Sequence, residues 1–433
     1  MTQSATPHLT APPAESTVTA MPPLDAWLHR QQSEGGSNMT GALLTWFEGP
    51  PPTLAALRAL ARKRLAPYQR LSQMPHVPDS DSWPQWSTGP EFDADHHISE
   101  SPHVPAPGLE GHIATLFTAP LDDRRPLWHL HLVPSADGFV LLLRAHHALL
   151  DGRSIATVLR ALFDETADAH RQATVPPPAA SSSRARQLAW NLGDLIPKAR
   201  TLPFHGDVDP QRVIAFRHVP SEDLEAARKP PHYVTSGPAS RASANAVFLA
   251  SASGALRTLG LTGRFPYLPG VCALVPVDVR TDEERELLGN HYATVRVPLP
   301  TQREARARLA AVDAFIRQGA IGARARAQAT MVASQPRKVT ALGSAMSHYV
   351  DSPRYFSLLC SSVATHAGEL TLGRARLTAM AGLPPLGPGH PLALTFMRHA
   401  GGSVVTAITD HTHRHLAQPL VAHIHDEIRK LSV

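Results

Sequence analysis

The stretch from Phe139 to Glu165 constrains the fold most, because its hydrophobic period changes once along it. Phe139-Val140-Leu141-Leu142-Leu143 is a short apolar run interrupted by Arg144, and such a run predicts a buried strand. From Ser154 to Glu165 the apolar residues Ile155, Val158, Leu159, Leu162 and Phe163 recur at helical spacing. The seven residues between, His146-His147-Ala148-Leu149-Leu150-Asp151-Gly152, must leave a core and enter a helix, with Asp151 at its mouth and Gly152 allowing the turn. Strand ends that meet helix starts are where α/β proteins place their chemistry.

Of all side chains, imidazole has the ordinary pKa closest to neutrality, so a histidine at such an exit can take a proton from a hydroxyl and return it. Asp151 can orient an imidazole, pair with an arginine elsewhere, or only cap the helix. The two histidines can equally be satisfied core residues. Taken alone, the seven residues leave these readings open.

Other segments add context. Pro120-Leu121-Asp122-Asp123-Arg124-Arg125-Pro126-Leu127-Trp128 precedes the strand, and Pro23-Leu24-Asp25-Ala26 with Gly41-Ala42-Leu43-Leu44 lies near the start. Trp86 is followed by Phe92-Asp93-Ala94-Asp95-His96-His97. Downstream come Val275-Pro276-Val277-Asp278-Val279-Arg280, Gly289-Asn290 and Val297-Pro298-Leu299-Pro300-Thr301. With His146 to Gly152 as HHxxxDG, this collinear set resembles the wax ester synthase/acyl-CoA:diacylglycerol acyltransferase family, from about residue 22 to 430. HHxxxDG is shared with condensation domains of peptide synthetases.

The resemblance implies an α/β fold of two lobes, each similar to chloramphenicol acetyltransferase. Mixed sheets would be flanked by helices, with a tunnel between the lobes. It implies that His147, the second histidine, is the catalytic base, with His146, Asp151 and Gly152 in support. Arg280 sits where the family carries an arginine that pairs with the motif aspartate, so Asp151 would be an anchor rather than a proton carrier; an exposed strand-end arginine is the competing reading. Gly152 would keep backbone bulk out of the channel. Two departures stand out: Ser362-Val363-Ala364-Thr365-His366 replaces an Asn-Val-Pro-Gly-Pro element, and Asn245-Ala246 replaces Asn-Asp. These bear on the choice of acceptor and leave the base intact.

At 433 residues the chain can hold two cores or one domain with two lobes. Two cysteines, Cys272 and Cys360, cannot make a disulfide framework and fit a reducing cytoplasm. No apolar run approaches the ~18 residues of a membrane span, and no secretory signal is read at the N-terminus. The net charge of +5 suits acyl-CoA phosphates or an anionic lipid surface, while 6% aromatic residues and the lack of a recognition motif argue against nucleic acid.

Composition divides the chain into a disordered tail over 1–21, an N-terminal lobe over 22–174, a linker over 175–204 rich in Pro, Ala and Ser, and a C-terminal lobe over 205–433. Trp128 to Val133 alternates as a half-buried strand beside the one ending at His146. His96-His97 lacks a following Asp-Gly and reads as structural. Arg303 to Arg326 reads as one basic amphipathic helix, either an ordinary surface helix or one that meets a membrane or lipid droplet. In the tail, His411, His413 and His415 would share one side of a strand, but without cysteine or ordered carboxylates no metal site is assigned.

No Gly-x-Ser-x-Gly elbow is present and neither cysteine has a nucleophile context, so direct transfer is the economical chemistry. His147 would deprotonate a hydroxyl as it attacks an acyl thioester, with acyl-CoA as donor substrate and no cofactor. Substrate-binding residues and the oxyanion donor are not assigned. The expected product is a wax ester, an acylglycerol or a related lipid ester. Two alternatives stay open: acylation or condensation of a specialised metabolite with an acyl carrier protein as partner, and a non-catalytic lipid- or carrier-binding module.

Overall fold

The computed structural model describes residues 17–79, 82–89, 92–165, 184–196, 199–229, 241–262, 270–364 and 368–432. In the first half the elements are β1 (Thr17–Ala20), α1 (Pro23–Gly35), β2 (Thr40–Glu48), α2 (Leu54–Leu65), β3 (Gln73–His76), β4 (Gln85–Thr88), α3 (Ala94–His97), β5 (Ile98–Glu100), α4 (Leu109–Thr118), β6 (Trp128–Ser135), β7 (Gly138–His146), α5 (Gly152–Leu162) and β8 (Asp164–Glu165). The second half adds α6 (Arg184–Leu195), β9 (Arg212–Val219), α7 (Ser221–Ala227), α8 (Ala244–Thr258), β10 (Cys272–Asp278), β11 (Tyr292–Pro298), α9 (Ala305–Gln318), α10 (Ile321–Ala333), α11 (Ala341–Val350), β12 (Leu358–Ala364), β13 (Leu370–Leu372), β14 (Ala375–Leu383), β15 (Leu392–His399), β16 (Gly402–Asp410) and α12 (Ala417–Ser432).

Two mixed sheets organise these elements. One has seven strands in the order β5-β6-β7-β2-β14-β13-β8, the other six in the order β11-β10-β12-β15-β16-β9. β2 and β7 are buried along nearly their whole length because both faces of the first sheet are covered. Leu43, Phe47, Leu141 and Leu143 face Leu57, Ala61 and Leu65 of α2 and Ile155, Val158, Leu159 and Leu162 of α5. On the other face Ala42, Leu44, Val140 and Leu142 join Phe117 of α4 and Ile214, Ala393, Val404 and Ile408 of the second sheet, so the sheets meet there. Burial of each large apolar side chain of α5 contributes about 1.5–3 kcal/mol. The helix starts where expected because the Asp151 side chain accepts from Ser154 N–H at 2.7 Å.

The second half lends strands to the first. β13 and β14 come from the second half, yet β14 pairs antiparallel with β2 from Arg376 opposite Glu48 to Leu383 opposite Ala42, and β13 pairs with β8. The lobe expected over 205–433 therefore gives two strands to the first sheet. The proline-rich part of the expected linker, 175–183, lies outside the described residues.

Three expectations are corrected. Thr17–Ala20 is not part of a disordered tail: its β-branched residues pair with Gln85–Thr88, and Met21 behind them is fully buried. The helix expected over 303–326 is two helices, broken at Gly319 and at Ala320, whose φ of 49° makes it the sole non-glycine with positive φ among the described residues. The apolar face of α9, Leu309 and Val312, packs into the second core, and Arg308 is buried against Glu427 of α12. Gly254 of α8 makes room for that pair, since a Cβ there would lie 2.5 Å from Glu427 Oε2. Finally, His411, His413 and His415 follow the end of β16 in a turn, and His413 Nδ1 bonds Asp410 Oδ1 at 2.7 Å. No helix among the described residues is long and apolar enough to cross a membrane.

Candidate active site

β7 ends at His146, opposite Thr40 of β2, and His147 N–H donates to Met39 O at 2.8 Å. The chain then turns back, with Leu149 N–H and Leu150 N–H both donating to His146 O. This turn sends the two imidazoles into different surroundings.

His146 is 2% exposed, and its Nδ1 accepts from Ala148 N–H at 3.0 Å. Burial pushes its pKa down to about 3, helped by His29 and His147 nearby. It is therefore neutral at any ordinary pH, with one nitrogen already used as an acceptor. It borders a cavity of about 550 Å³ lined by His29, Gln32, Asn38, Thr40 and Leu127 among others. All the lining residues belong to the first half, so this cavity is not the passage expected between the lobes.

His147 is half-buried. Its Nδ1 lies 3.2 Å from Asn290 Oδ1, and its ring stands 5.5 Å from that of Tyr292. No hydrogen-bond partner for Nε2 is found among the described residues. The Tyr292 hydroxyl is pushed well above its usual pKa by burial and then by Asp151 and Asp25, so it stays protonated.

Asp151 caps α5 and pairs with an arginine as well, so two of its readings hold together. Oδ1 accepts from Ser154 N–H, and Oδ2 accepts from His291 N–H at 3.0 Å and from the Arg280 guanidinium at 2.9 Å. The two side chains are 5% and 2% exposed, which sets aside the exposed strand-end reading of Arg280. Arg280 also donates to Ser154 Oγ, Gly289 O and Leu287 O. Arg280 Nη1 also meets Asp278 Oδ1 at 3.0 Å, so losing Arg280 would strand the buried Asp151 carboxylate while losing Asp151 would leave Arg280 a second partner, and this geometry supports anchoring of the halves rather than proton transfer.

Gly152 departs from expectation. It is exposed at the first turn of α5, its φ is not positive, and an added Cβ would meet nothing within 4 Å. The turn does not require it, and the open space beside it is all that supports a role in keeping a channel clear. The glycine needed here is Gly289, with φ 124°, which bonds Asp151 N–H and Ser154 Oγ through its backbone.

Sequence reasoning missed a second layer. Asn290 Nδ2 donates to Asp25 Oδ1 at 2.9 Å and to the carbonyls of His147 and Ala148 at 2.8 and 3.0 Å. Asp25 Oδ2 takes Arg70 at 2.6 Å and Trp86 Nε1 at 3.0 Å, and Arg70 donates in turn to Ala148 O and Leu149 O. Asp25, Trp86 and Asn290 were visible only as members of short segments, and nothing local to Arg70 marks it. Of the departures, Asn245 Oδ1 is buried on α8 without a partner among the described residues, Ser362 to Ala364 end β12, and 365–366 lie outside the described residues. Among the described residues no group of three or more His, Cys, Asp and Glu is arranged to hold a metal ion.

Residues 21–241 match the family model for the wax ester synthase/diacylglycerol acyltransferase catalytic domain, and residues 288–432 match the model for its C-terminal domain. A Mycobacterium tuberculosis protein bearing the name of a diacylglycerol O-acyltransferase is 28% identical over 368 residues, 74% of this chain and 72% of the relative. Among solved structures, the wax ester synthase/diacylglycerol acyltransferase of Marinobacter aquaeolei superposes with a TM-score of 0.63 at 17% identity, over 95% of this chain and 98% of that one. A variant of the starter condensation domain of rhizomide synthetase in complex with C8-CoA superposes at 0.62 and 16% identity, over 96% and 94%. At these identities the two superpositions show the fold alone. The chain belongs to the wax ester synthase/diacylglycerol acyltransferase family, and is an acyltransferase of that type.

Proposed function

We propose that this family member moves a fatty acyl group from acyl-CoA straight to the hydroxyl of an alcohol or a diacylglycerol, with His147 as general base and no cofactor. The names of its mycobacterial and Marinobacter relatives support that substrate class, and the C8-CoA bound to a domain of the same fold supports the donor. The single observation that carries the reading is the state of His147: Nδ1 is held, while Nε2 has no partner among the described residues. The hydroxyl proton passes to Nε2 while the oxygen attacks the thioester carbonyl. As the C–S bond breaks, the departing thiolate recovers that proton and the ester is released. His146, buried and neutral, and Asp151, tied to Arg280, hold the backbone around the base.

The test is thiol release by purified protein given long-chain acyl-CoA with alcohols or diacylglycerol, beside His147→Ala. A fall of about 100- to 10,000-fold is expected, and an unchanged rate removes the role of His147. Release seen only with an acylated carrier protein would favour the specialised-metabolite reading, to which the altered Ser362 and Asn245 elements lend support. Binding without turnover of any donor would favour a lipid-binding module.

The same reading places the enzyme in the cytoplasm, in peripheral contact with a membrane or lipid droplet through α6 rather than α9. Leu188, Leu192 and Ile196 fall at i, i+4 and i+8 and are 60%, 55% and 59% exposed, with Arg184 and Arg186 exposed at the start of the same helix. Arg296 of β11 holds the helix from beneath through Gly193 O and Ile196 O. Flotation with anionic vesicles should fall several-fold in Leu188→Ser/Leu192→Ser; an unchanged bound fraction excludes this face.

A further inference from the structure

We infer that Asn290 is a positioning residue that locks His147 in the tautomer with its proton on Nδ1, and that the buried Asp25–Arg70 pair holds Asn290 in the orientation that does so. The inference rests on the reading of His147 as base and specifies which nitrogen acts.

The orientation of the Asn290 amide follows from its neighbours. Its Nδ2 faces three acceptors, Asp25 Oδ1, His147 O and Ala148 O, at 2.8–3.0 Å. A flipped amide would set its carbonyl oxygen against all three and lose every one of these bonds. Oδ1 is thereby committed to the imidazole, 3.2 Å from Nδ1. A carbonyl oxygen can only accept, so the ring nitrogen facing it must carry the proton, and the lone pair of the neutral ring lies on Nε2. The other tautomer would bring two lone pairs together at that distance. Nε2 is the ring nitrogen without a partner among the described residues.

Asp25 is itself fixed. Its side chain is 3% exposed, and its second oxygen is shared by Arg70 and Trp86. The guanidinium lies 4.3 Å from the centre of the Trp86 ring and donates to the carbonyls of Ala148 and Leu149, so one cation grips both the carboxylate and the backbone after the base. The base and Asp25 come from the first half and Asn290 from the second. The imidazole thus acquires its working form only when the halves are joined.

The test reads protonation directly. In uniformly ¹⁵N-histidine-labelled full-length protein at about pH 8, imidazole resonances assigned to His147 by their loss in His147→Gln should show a protonated Nδ1 and a bare Nε2. In Asn290→Ala, kcat should fall between about tenfold and 1,000-fold, with KM for the acyl thioester within about twofold and an Nε2–H signal appearing for His147. A wild-type spectrum with Nε2 protonated overturns the proposal whether or not the variant folds. So does an Asn290→Ala enzyme that keeps both kcat and the Nδ1–H signal. Full turnover in His147→Ala would instead sink the base reading and leave the tautomer measurement standing.

Discussion

The first lobe carries two histidine pairs in opposite surroundings. His96-His97 closes α3 within a cluster of its own kind. His97 is fully buried, donates from Nδ1 to Trp128 O at 2.8 Å and stacks on the Trp128 indole, centroids 4.3 Å apart. Beside it on β6, His129 and His131 share Ser99 Oγ, and Arg144 donates to His131 Nε2. Burial holds these three rings neutral, with pKa values of about 4, 4 and 2 for His97, His129 and His131. At the end of β7 only His146 is treated in that way. The ring after it has one nitrogen pinned across the lobes and the other without a partner among the described residues. On the proposed reading, density of histidines does not mark chemistry; an imidazole held at one nitrogen and left without a described partner at the other does.

Disturbing one pair or the other should therefore remove different things. The largest effect is the rate loss in His147→Ala, with the urea midpoint within about 0.2 M of wild type; a variant that unfolds would erase the contrast. Next, Asp151→Asn keeps a helix cap but takes one of two carboxylates from the buried Arg280 guanidinium, leaving Asp278 at 3.0 Å, so it should cost about 2 kcal/mol in urea unfolding and lose rate as well. Normal stability with no activity would point instead to a direct catalytic role for the aspartate. In the mirror experiment, His97→Ala should cost about 1–3 kcal/mol from the lost stack and hydrogen bond, with the rate per folded molecule unchanged. A rate loss there would break the comparison.

Acid sharpens it further. Unfolded imidazoles titrate near ~6.5, so between that value and about 4 the unfolded chain binds more protons than the folded one. The stability these rings contribute is complete above about pH 6.5 and drains as pH falls toward 4. Asp351, raised to about 6 by burial, opposes the trend, because its contribution is lost as pH rises through 6. The urea midpoint should nonetheless drop from pH 7 to pH 5, less steeply in His129→Gln; a flat profile would mean that the folded rings take up protons as the unfolded chain does. The smallest effect belongs to Gly152→Ala, within about 0.5 kcal/mol, since the added methyl meets open space on a helical backbone.

The period change at residue 146 was legible because strand, turn and helix are neighbours in the chain, and so was the Asp151 cap, a contact across three residues. The pairing of Arg280 with Asp151 was reached only through likeness to a family. Asp25 and Asn290 meet across 265 residues, and neither hydrophobic period nor capping chemistry encodes such a meeting. The strand at Thr17 was hidden for a related reason: four residues make an element only because a partner strand is present. Ala320 broke a helix that its sequence pattern would have continued, as α9 turned its apolar face into the second core.

The loan of β13 and β14 to the first sheet has a consequence for how the protein is made. When the ribosome has delivered β2 it must still add about 330 residues before Leu383, the partner of Ala42, exists. At ~5–20 residues per second that leaves one flank of β2 without a neighbour for roughly 20–70 seconds. During that wait an exposed hydrogen-bonding edge invites pairing with other nascent chains, so expression yield should depend on chaperone supply more than the stability of the finished enzyme would suggest.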